Sequence, residues 1–420
     1  MTSPLEPASR VEAVGPSGIR RFFEIAEERD DVISLGVGEP DFSTPWAARD
    51  AAIHSLERGR TSYTANRGMA ALRAAISEYV DERFALSYDP DDGILVTAGA
   101  SEAVDLAFRA FVDPGETVAV AQPAYISYGP GVTFAGGAVL PVRTREADDF
   151  KLTAEALEAA GADTAELLVL CYPNNPTGAV MTRADLEPVA AFAREHDIAV
   201  LADEIYAELT YTERTGSEMD GGQGDGTASQ DPEDPDRDEA GTAAHTSIAT
   251  LPGMAERTIV VSGFSKAHAM TGLRLGYALG PADAIDAMNR IHQYGLLSAP
   301  TTAQYAALEA LDSCAGEVRT MVAQYDRRRR FVLSRFREIG MPCFEAQGAF
   351  YVFPEVPDGW TADAFAEALL HEEGVAVVPG DVFGVGGEGH LRVSYATGLD
   401  DLREALTRIE RFVAERPTDR

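Results

Sequence analysis

The sequence predicts an α/β protein built on a mainly parallel sheet, followed by a smaller α+β domain. Short runs rich in Val, Ile and Leu alternate with segments of helical periodicity, and these runs lie at residues 94–98, 117–122, 167–171, 198–202 and 258–262. Uniformly apolar strands separated by helices are typical of a sheet that is covered on both faces. From about residue 300 long helical segments mix with short strands, which indicates the second domain.

The other elements follow from periodicity and composition. Helical segments lie at 303–340, 361–373 and 400–415, and strands are expected near 349–354, 375–379 and 390–396. These patterns divide the chain into a large domain over residues 46–290 and a small domain made of residues 1–45 and 291–420. Residues 213–243 are rich in acids, Gly and Ser with almost nothing to bury, so we expect a solvated, disordered insertion in the large domain.

The charge balance excludes several classes of partner. The chain has 420 residues, of which 68 are acidic and 35 are Lys or Arg, for a formal net charge of −33. Such a chain repels phosphate backbones and anionic lipid, so neither nucleic acid nor a membrane is an expected partner. The first residues lack the pattern of a signal peptide and no apolar run is long enough for a membrane helix, which favours a cytoplasmic protein.

Lysine is nearly missing from the chain, although arginine is common. Its only lysines are Lys151 and Lys266. An acidic surface with so little lysine suggests a halophilic protein, from a cytoplasm of very high salt in which charge repulsion is screened. The three cysteines and seven histidines show neither disulfide nor metal-ligand spacing, so the sequence predicts no metal site.

Polar residues follow five of the apolar runs, at the edge of the sheet where open α/β folds bind ligands. In chain order they are Gly99-Ala100-Ser101, Pro123-Ala124-Tyr125, the run from Tyr172 to Gly178, Asp203-Glu204-Ile205-Tyr206 and Gly263-Phe264-Ser265-Lys266. A turn that opens a helix suits a phosphate, a carboxylate keeps a pyridine nitrogen protonated, and a lysine forms a Schiff base with an aldehyde. Together these groups fit pyridoxal 5′-phosphate (PLP).

Lys266 is the most specific of these signals. In a chain that avoids lysine, its presence indicates a role that arginine cannot fill, because arginine stays protonated and forms no imine. Its context, SGFSKAHAMTGLRLG at 262–276, resembles the lysine motif of the class I and II PLP-dependent aminotransferases of fold type I. The resemblance extends from SLGVGEPDF through NNPTGAV and DEIYAELTY to LRVSYAT, and SGIRRFFEIA and DRRRRFVLSRF look closest to archaeal-type aromatic and aspartate aminotransferases.

The resemblance implies a role for each residue that matches a family motif. Lys266 would be the Schiff-base lysine and general base, and Asp203 would pair with the pyridine nitrogen. Tyr206 and Asn175 would bind the phenolic oxygen of the ring, and Tyr125 would stack on its face. The residues that would hold the phosphate are Ala100, Ser101, Ser265, Arg274 and, from the other subunit of a homodimer, Tyr63. The residues that would bind the substrate carboxylate are Arg392, Asn175 and Gly38.

The predicted function is transfer of the amino group of an L-amino acid, aromatic or aspartate, to 2-oxoglutarate by a ping-pong mechanism. A PLP-dependent C–S or β-lyase is the alternative on the same fold, and a PLP-binding regulator is a more remote one. Tyr172 stands where the family often has Asn, and Ser101 stands where some aspartate-specific relatives carry Lys. Ser17, Ile19 and Arg20 belong to a segment that borders the substrate side chain in relatives, so the preferred donor stays open.

Overall fold

A computed structural model describes residues 5–16, 18, 31–211 and 245–416. The predicted insertion at 213–243, and Ser17, Ile19 and Arg20, therefore lie outside the described residues. The strands within the described ranges are β1 (Ile33–Ser34), β2 (Ile94–Thr97), β3 (Thr117–Gln122), β4 (Ala138–Arg143), β5 (Leu167–Cys171), β6 (Ala199–Asp203), β7 (Thr258–Gly263), β8 (Gly276–Leu279), β9 (Tyr351–Val352), β10 (Val375–Ala376), β11 (Val378–Pro379) and β12 (Leu391–Ser394).

The helices of the same ranges are α1 (Ser9–Glu12), α2 (Trp46–Glu57), α3 (Ala70–Phe84), α4 (Ala100–Phe111), α5 (Tyr128–Ala135), α6 (Ala154–Ala160), α7 (Arg183–Glu195), α8 (Ala282–Gly295), α9 (Thr301–Ser313), α10 (Ala315–Ile339), α11 (Ala362–Glu373) and α12 (Leu399–Ala414). Short 3₁₀ turns include Glu146–Asp148, Thr271–Leu273 and Gly380–Phe383. Among the described residues, no helix is both long enough and apolar enough to cross a bilayer.

Seven strands form the main sheet, in the order β2-β8-β7-β6-β5-β3-β4. The five strands from β7 to β4 in that order run parallel, and β8 is antiparallel to β2 and β7 on either side of it. The predicted α/β class with a mainly parallel sheet is confirmed. The sequence does not predict β4, because this edge strand is only partly buried and contains Pro141.

The strands are uniformly apolar because the sheet is covered on both faces. Ala202 and Val260 face one core, which also contains side chains of α2, α3, α7 and α9. Leu201 and Val261 face the opposite core, which is closed by α4, α5 and α8. Successive side chains of a strand point to opposite faces, so neither face tolerates a run of polar residues.

The last third of the chain forms a second core around short strands. β12 lies between β11 and β9 in an antiparallel sheet, and β1 pairs with β10 in parallel. The predicted single helix at 303–340 is wrong, since Cys314 separates α9 from α10. α9 packs against α2 and α3, and its Ala306 and Ala310 belong to a core of the main sheet. The boundary at residue 290 stays a prediction.

The segment before α2 crosses from the small sheet to the edge of the main sheet. The Leu35 N–H donates to Ala376 O at 2.8 Å, and the Ser394 N–H donates to Leu35 O at 2.7 Å. These bonds fix the backbone on both sides of Leu35 against β10 and the end of β12. They place the carbonyls of Gly36 and Gly38 over the carboxyl ends of β5, β6 and β7, where the candidate site lies.

Candidate active site

The amine of Lys266 is buried at the end of β7. Its Nζ donates to Gly38 O at 2.7 Å and lies 5.7 Å from the ring centroids of both Tyr206 and Phe350. The pKa of Lys266 is lowered to about 8, chiefly by burial and also by Arg392, against the opposing effect of Glu39. A substantial fraction of this amine is therefore neutral and nucleophilic in mildly alkaline solution.

Asp203 is the last residue of β6 and is only 5% exposed. Tyr128 Oη donates to its Oδ2 at 2.7 Å, and the Ile205 N–H donates to its Oδ1 at 3.2 Å. Burial raises the pKa of Asp203 to about 6, and the bond from Tyr128 opposes this rise. The carboxylate is thus ionised at neutral pH. The sequence analysis missed Tyr128, for which the only signal is its place three residues after Tyr125 in PAYISY.

The start of α4 forms a cradle for an anion. Gly99 precedes the helix with φ at +85°, and in the described part of the chain no side chain caps the N–H groups of the first turn, near Ala100 and Ser101. The guanidinium of Arg274 lies close to the start of this helix, because a Cβ placed on Gly99 would be only 2.7 Å from its Nη2. A positive dipole end beside an arginine favours a phosphate. Ser265 is buried next to Lys266 in the chain.

The guanidinium of Arg392 is buried in β12 at 4% exposure. It donates from Nη1 to Asn175 Oδ1 at 3.1 Å and from Nη2 to Gly36 O at 2.5 Å, and it lies 4.7 Å from the ring centroid of Tyr351. Its Nε is buried without a hydrogen-bond partner among the described residues. Burial lowers its pKa, and with neutral oxygens as partners the cation remains available to an anionic ligand.

Tyr351 links two of the predicted residues, and the sequence analysis gives it no role. Its hydroxyl is hydrogen-bonded to that of Tyr206 at 2.9 Å. A Cβ at Gly38 would clash with the same hydroxyl oxygen, so a glycine lets the chain pass this close. Tyr125 packs edge-to-face on Tyr128, with ring centroids 5.6 Å apart.

These contacts bring most of the predicted residues into one region, but not Tyr63. Tyr63 is 78% exposed, and the loop that contains it packs on the start of α9 through a bond from Thr301 to Ser62 O at 2.9 Å. Within one subunit it is on the outer surface, so its predicted role at a phosphate requires a second subunit.

The residues present fit PLP. A buried carboxylate suits a pyridinium nitrogen, a buried amine of lowered pKa suits an aldehyde, and the uncapped start of α4 with Arg274 suits a phosphate. The pyridine nitrogen, the aldehyde and the phosphate of the cofactor therefore each have a suitable partner in this site.

Comparison with known proteins agrees with this geometry. The family "Aminotransferase class I and II" matches residues 30–409. A putative aminotransferase of Bacillus subtilis is 48% identical over 96% of this chain and 97% of its own length. An aspartate aminotransferase of Pyrococcus abyssi is 40% identical over 97% and 98% of the two chains. The solved structure of an aromatic aminotransferase from Pyrococcus horikoshii is 40% identical, with a TM-score of 0.83 over 94% of this chain and 99% of that one. This chain therefore belongs to the class I and II aminotransferases, a PLP-dependent family of enzymes.

Proposed function

We propose that the chain transfers the amino group of an aromatic L-amino acid or of aspartate to 2-oxoglutarate by a ping-pong mechanism. The observation that carries the proposal is the buried amine of Lys266, which bonds to Gly38 O and lies in the field of Asp203 and Arg392. The two donor classes are supported by the relatives described above, one of which is named an aspartate and one an aromatic aminotransferase.

Bound PLP supplies an aldehyde that condenses with an amine and a protonated ring that delocalises the charge left when the α-proton leaves. Lys266 is the amine in our proposal, and Asp203 keeps the pyridine nitrogen protonated because its carboxylate is ionised above about pH 6. Tyr206 and Asn175 bind the phenolic oxygen, and Tyr125 covers one face of the ring.

Four residues hold the phosphate in this proposal: Ala100, Ser101, Ser265 and Arg274. The N–H groups of the first two open α4, and Arg274 lies over the same turn. Backbone donors at a helix start bind an anion together with a guanidinium, and neither needs a change of protonation.

Lys266 is also the proposed general base. A pKa of about 8 leaves its Nζ able to accept a proton from the substrate α-carbon and to give that proton up again near neutral pH. Arg392 binds the α-carboxylate through the donors that Asn175 and Gly36 leave free, and Gly38 borders the same position. The positively charged end of the site thus orients the carbon from which Lys266 takes the proton.

The exposed aromatic face around Tyr63 supports a homodimer. Tyr294 is 89% exposed, and Leu296 and Leu297 are 43% and 38% exposed close to it in the chain. Asn66, in the loop of Tyr63, donates to Leu297 O at 2.7 Å, so these side chains share one surface. We propose that a second copy covers it and that Tyr63 reaches the phosphate held by the neighbouring subunit. Sedimentation should give a dimer that Tyr294→Asp weakens, and a monomeric, fully active wild type would exclude this role.

Transamination places the proposed enzyme in amino-acid metabolism, and the composition supports a cytoplasm of very high salt. A net charge of −33 is sustained most easily where salt screens repulsion. Hydrated lysines are nearly absent, and arginines form ion pairs on the surface instead, as Arg143 does with Glu388.

Lys266→Ala tests the central assignment, and Lys151→Ala is its matched control because Lys151 is the only other lysine. The first variant should lose the near-visible absorbance of covalently attached cofactor and turnover with every donor, whereas the second should keep both. Wild-type turnover should be compared for Phe, Tyr, Asp, Ala and Leu with 2-oxoglutarate in molar KCl. Normal turnover in Lys266→Ala would overturn the proposal, and a preference for Ala or Leu would overturn the donor class alone.

A further inference from the structure

Three residues that are far apart in the sequence meet outside the active site. Glu146 begins the 3₁₀ turn after β4, and Glu355 pairs with His390 in an isolated antiparallel bridge. One ligand atom from each of these side chains lies within 4.8 Å of the other two. We call these residues the Glu146–Glu355–His390 cluster. Because these three residues are far apart in the sequence, the spacing of the histidines along the chain gives no sign of a metal site here.

The ring of His390 is held with one nitrogen directed at the two carboxylates. Its Nδ1 lies 3.0 Å from Glu388 O, and because a carbonyl only accepts, Nδ1 carries the hydrogen and the neutral ring has its lone pair on Nε2. Phe353 stacks on the ring at 4.9 Å, and Phe150 packs on it edge-to-face at 5.6 Å. A backbone acceptor for one nitrogen is the usual way in which proteins orient a metal-binding histidine.

Nε2 of His390 has no hydrogen-bond partner among the described residues, although the residue is only 9% exposed. The nearest carboxylate oxygens, of Glu146 and Glu355, lie 3.8 Å and 3.9 Å away, beyond hydrogen-bond distance. A buried acceptor without a partner is costly and needs an explanation. It is an independent indication that something else belongs between these three groups.

Apart from the ring of His390, the two carboxylates have no cationic partner among the described residues. In the described part of the chain, no lysine or arginine forms an ion pair with Glu146 or Glu355. The Glu146 and Glu355 side chains are 34% and 43% exposed, so an ion can reach them from solvent.

The geometry points to a binding site for one divalent transition-metal ion, of which Zn²⁺ is the best probe, formed by Nε2 of His390 and carboxylate oxygens of Glu146 and Glu355. Imidazole with carboxylate suits zinc and its neighbours better than Mg²⁺ or Ca²⁺, which prefer oxygen alone. Ligand atoms around a tetrahedral zinc lie about 3.3 Å apart, so each carboxylate oxygen has to approach Nε2 of His390 by about 0.5 Å. Water completes the coordination. The ion joins the turn after β4 to the strand ends at residues 355 and 390.

The test measures Zn²⁺ binding to the EDTA-treated, dialysed holoenzyme in molar KCl with excess Mg²⁺, which occupies weak acidic sites. Equilibrium dialysis should give one Zn²⁺ per chain at this site, and Zn²⁺ should raise Tm. His390→Gln and Glu355→Gln should each weaken this binding by about tenfold or more and remove the rise in Tm. The side chain of Glu355 is 43% exposed, so Glu355→Gln should fold, and this variant tests the site if His390→Gln does not fold.

His54→Gln is the matched control. His54 also lies beside two acids, Asp50 and Glu57, but its side chain is 49% exposed and these groups do not converge as the cluster does. Zn²⁺ binding by this variant should equal that of the wild type. The proposal is overturned if the wild type shows no saturable Zn²⁺ binding, if the cluster variants bind as well as the wild type, or if His54→Gln loses as much as they do.

Discussion

Replacing Asp203 with Asn is expected to stabilise the cofactor-free protein even though it removes the proposed partner of the pyridine nitrogen. Burial raises the pKa of Asp203 from 3.8 to about 6, and this shift means that ionising it at neutral pH costs the fold about 3 kcal/mol. Asn has almost the same shape: its Oδ1 keeps the bond from the Ile205 N–H, and its Nδ2, in the place of Oδ2, donates to the hydroxyl oxygen of Tyr128. With about 2.1 cal/mol/K of unfolding entropy per residue, the gain corresponds to a rise in Tm of about 3–4 °C.

The sign of the effect sets its pH dependence. The folded-state pKa of Asp203 lies above its unfolded-state value, so its stabilising contribution is complete below about pH 4 and is lost as the pH rises through 6. The Asp203→Asn variant has no such loss, because an amide does not ionise. Calorimetry of the two cofactor-free proteins in molar KCl should therefore show the largest difference in Tm above pH 7 and almost none at pH 4.

Asp185→Asn is the control of opposite sign. Asp185 completes the capping box of α7 with Thr182, and although burial raises its pKa, hydrogen bonds from Thr182 and Lys151 lower that pKa overall. Its contribution is present above the unfolded-state pKa and is lost as the pH falls below about 4, so this variant should have a lower Tm at neutral pH. A lower Tm for Asp203→Asn at pH 7–8, or a difference independent of pH, would refute the reasoning.

Three further predictions concern the rest of the molecule. Arg392→Lys keeps the charge but loses the planar fork, so kcat/KM for the amino donor should fall about 100-fold; an unchanged value would place the carboxylate elsewhere. Gly38→Ala drives a methyl into Tyr351 Oη, so kcat/KM should fall about tenfold, whereas Gly316→Ala, with nothing within 4 Å, should leave it unchanged. Raising KCl from about 0.1 M to about 2 M should raise the wild-type Tm by several degrees, and a constant Tm would contradict the high-salt hypothesis.

The sequence predicts the centre of the site because that centre follows from topology. Parallel strands end at one edge of the sheet, so Asp203, at the end of β6, and Lys266, shortly after β7, must approach each other. Tyr128 and Tyr351 do not follow from this rule. An aromatic residue in a short helix or strand is equally consistent with a core position, and only the folded structure shows that its hydroxyl bonds to Asp203 or to Tyr206.

The small domain is harder to predict for a different reason. β9, β10 and β11 have two residues each, which is too short for a period of two to be visible. The segment 303–340 reads as one helix because neither Pro nor Gly stands at the break, yet Cys314 leaves helical geometry between α9 and α10. The packing of α9 on α2 sets the direction of the chain at this break, and the residue pattern around Cys314 contains no information about that contact.

The cations of the proposed site are arranged differently from most of those on the surface. Lys266 bonds to Gly38 O, Arg274 to Thr271 O, and Arg392 to Gly36 O and an amide oxygen; within the described residues none forms an ion pair with a carboxylate. These carbonyl and amide oxygens accept hydrogen bonds from the three cations but carry no net charge, so they do not neutralise the positive charge. Since the protein as a whole repels anions, this local excess of positive charge is what allows a phosphate and a substrate carboxylate to bind. The nearby charge of Lys266 also lowers the pKa of Asp203 against the effect of burial, which helps that carboxylate to stay ionised at neutral pH.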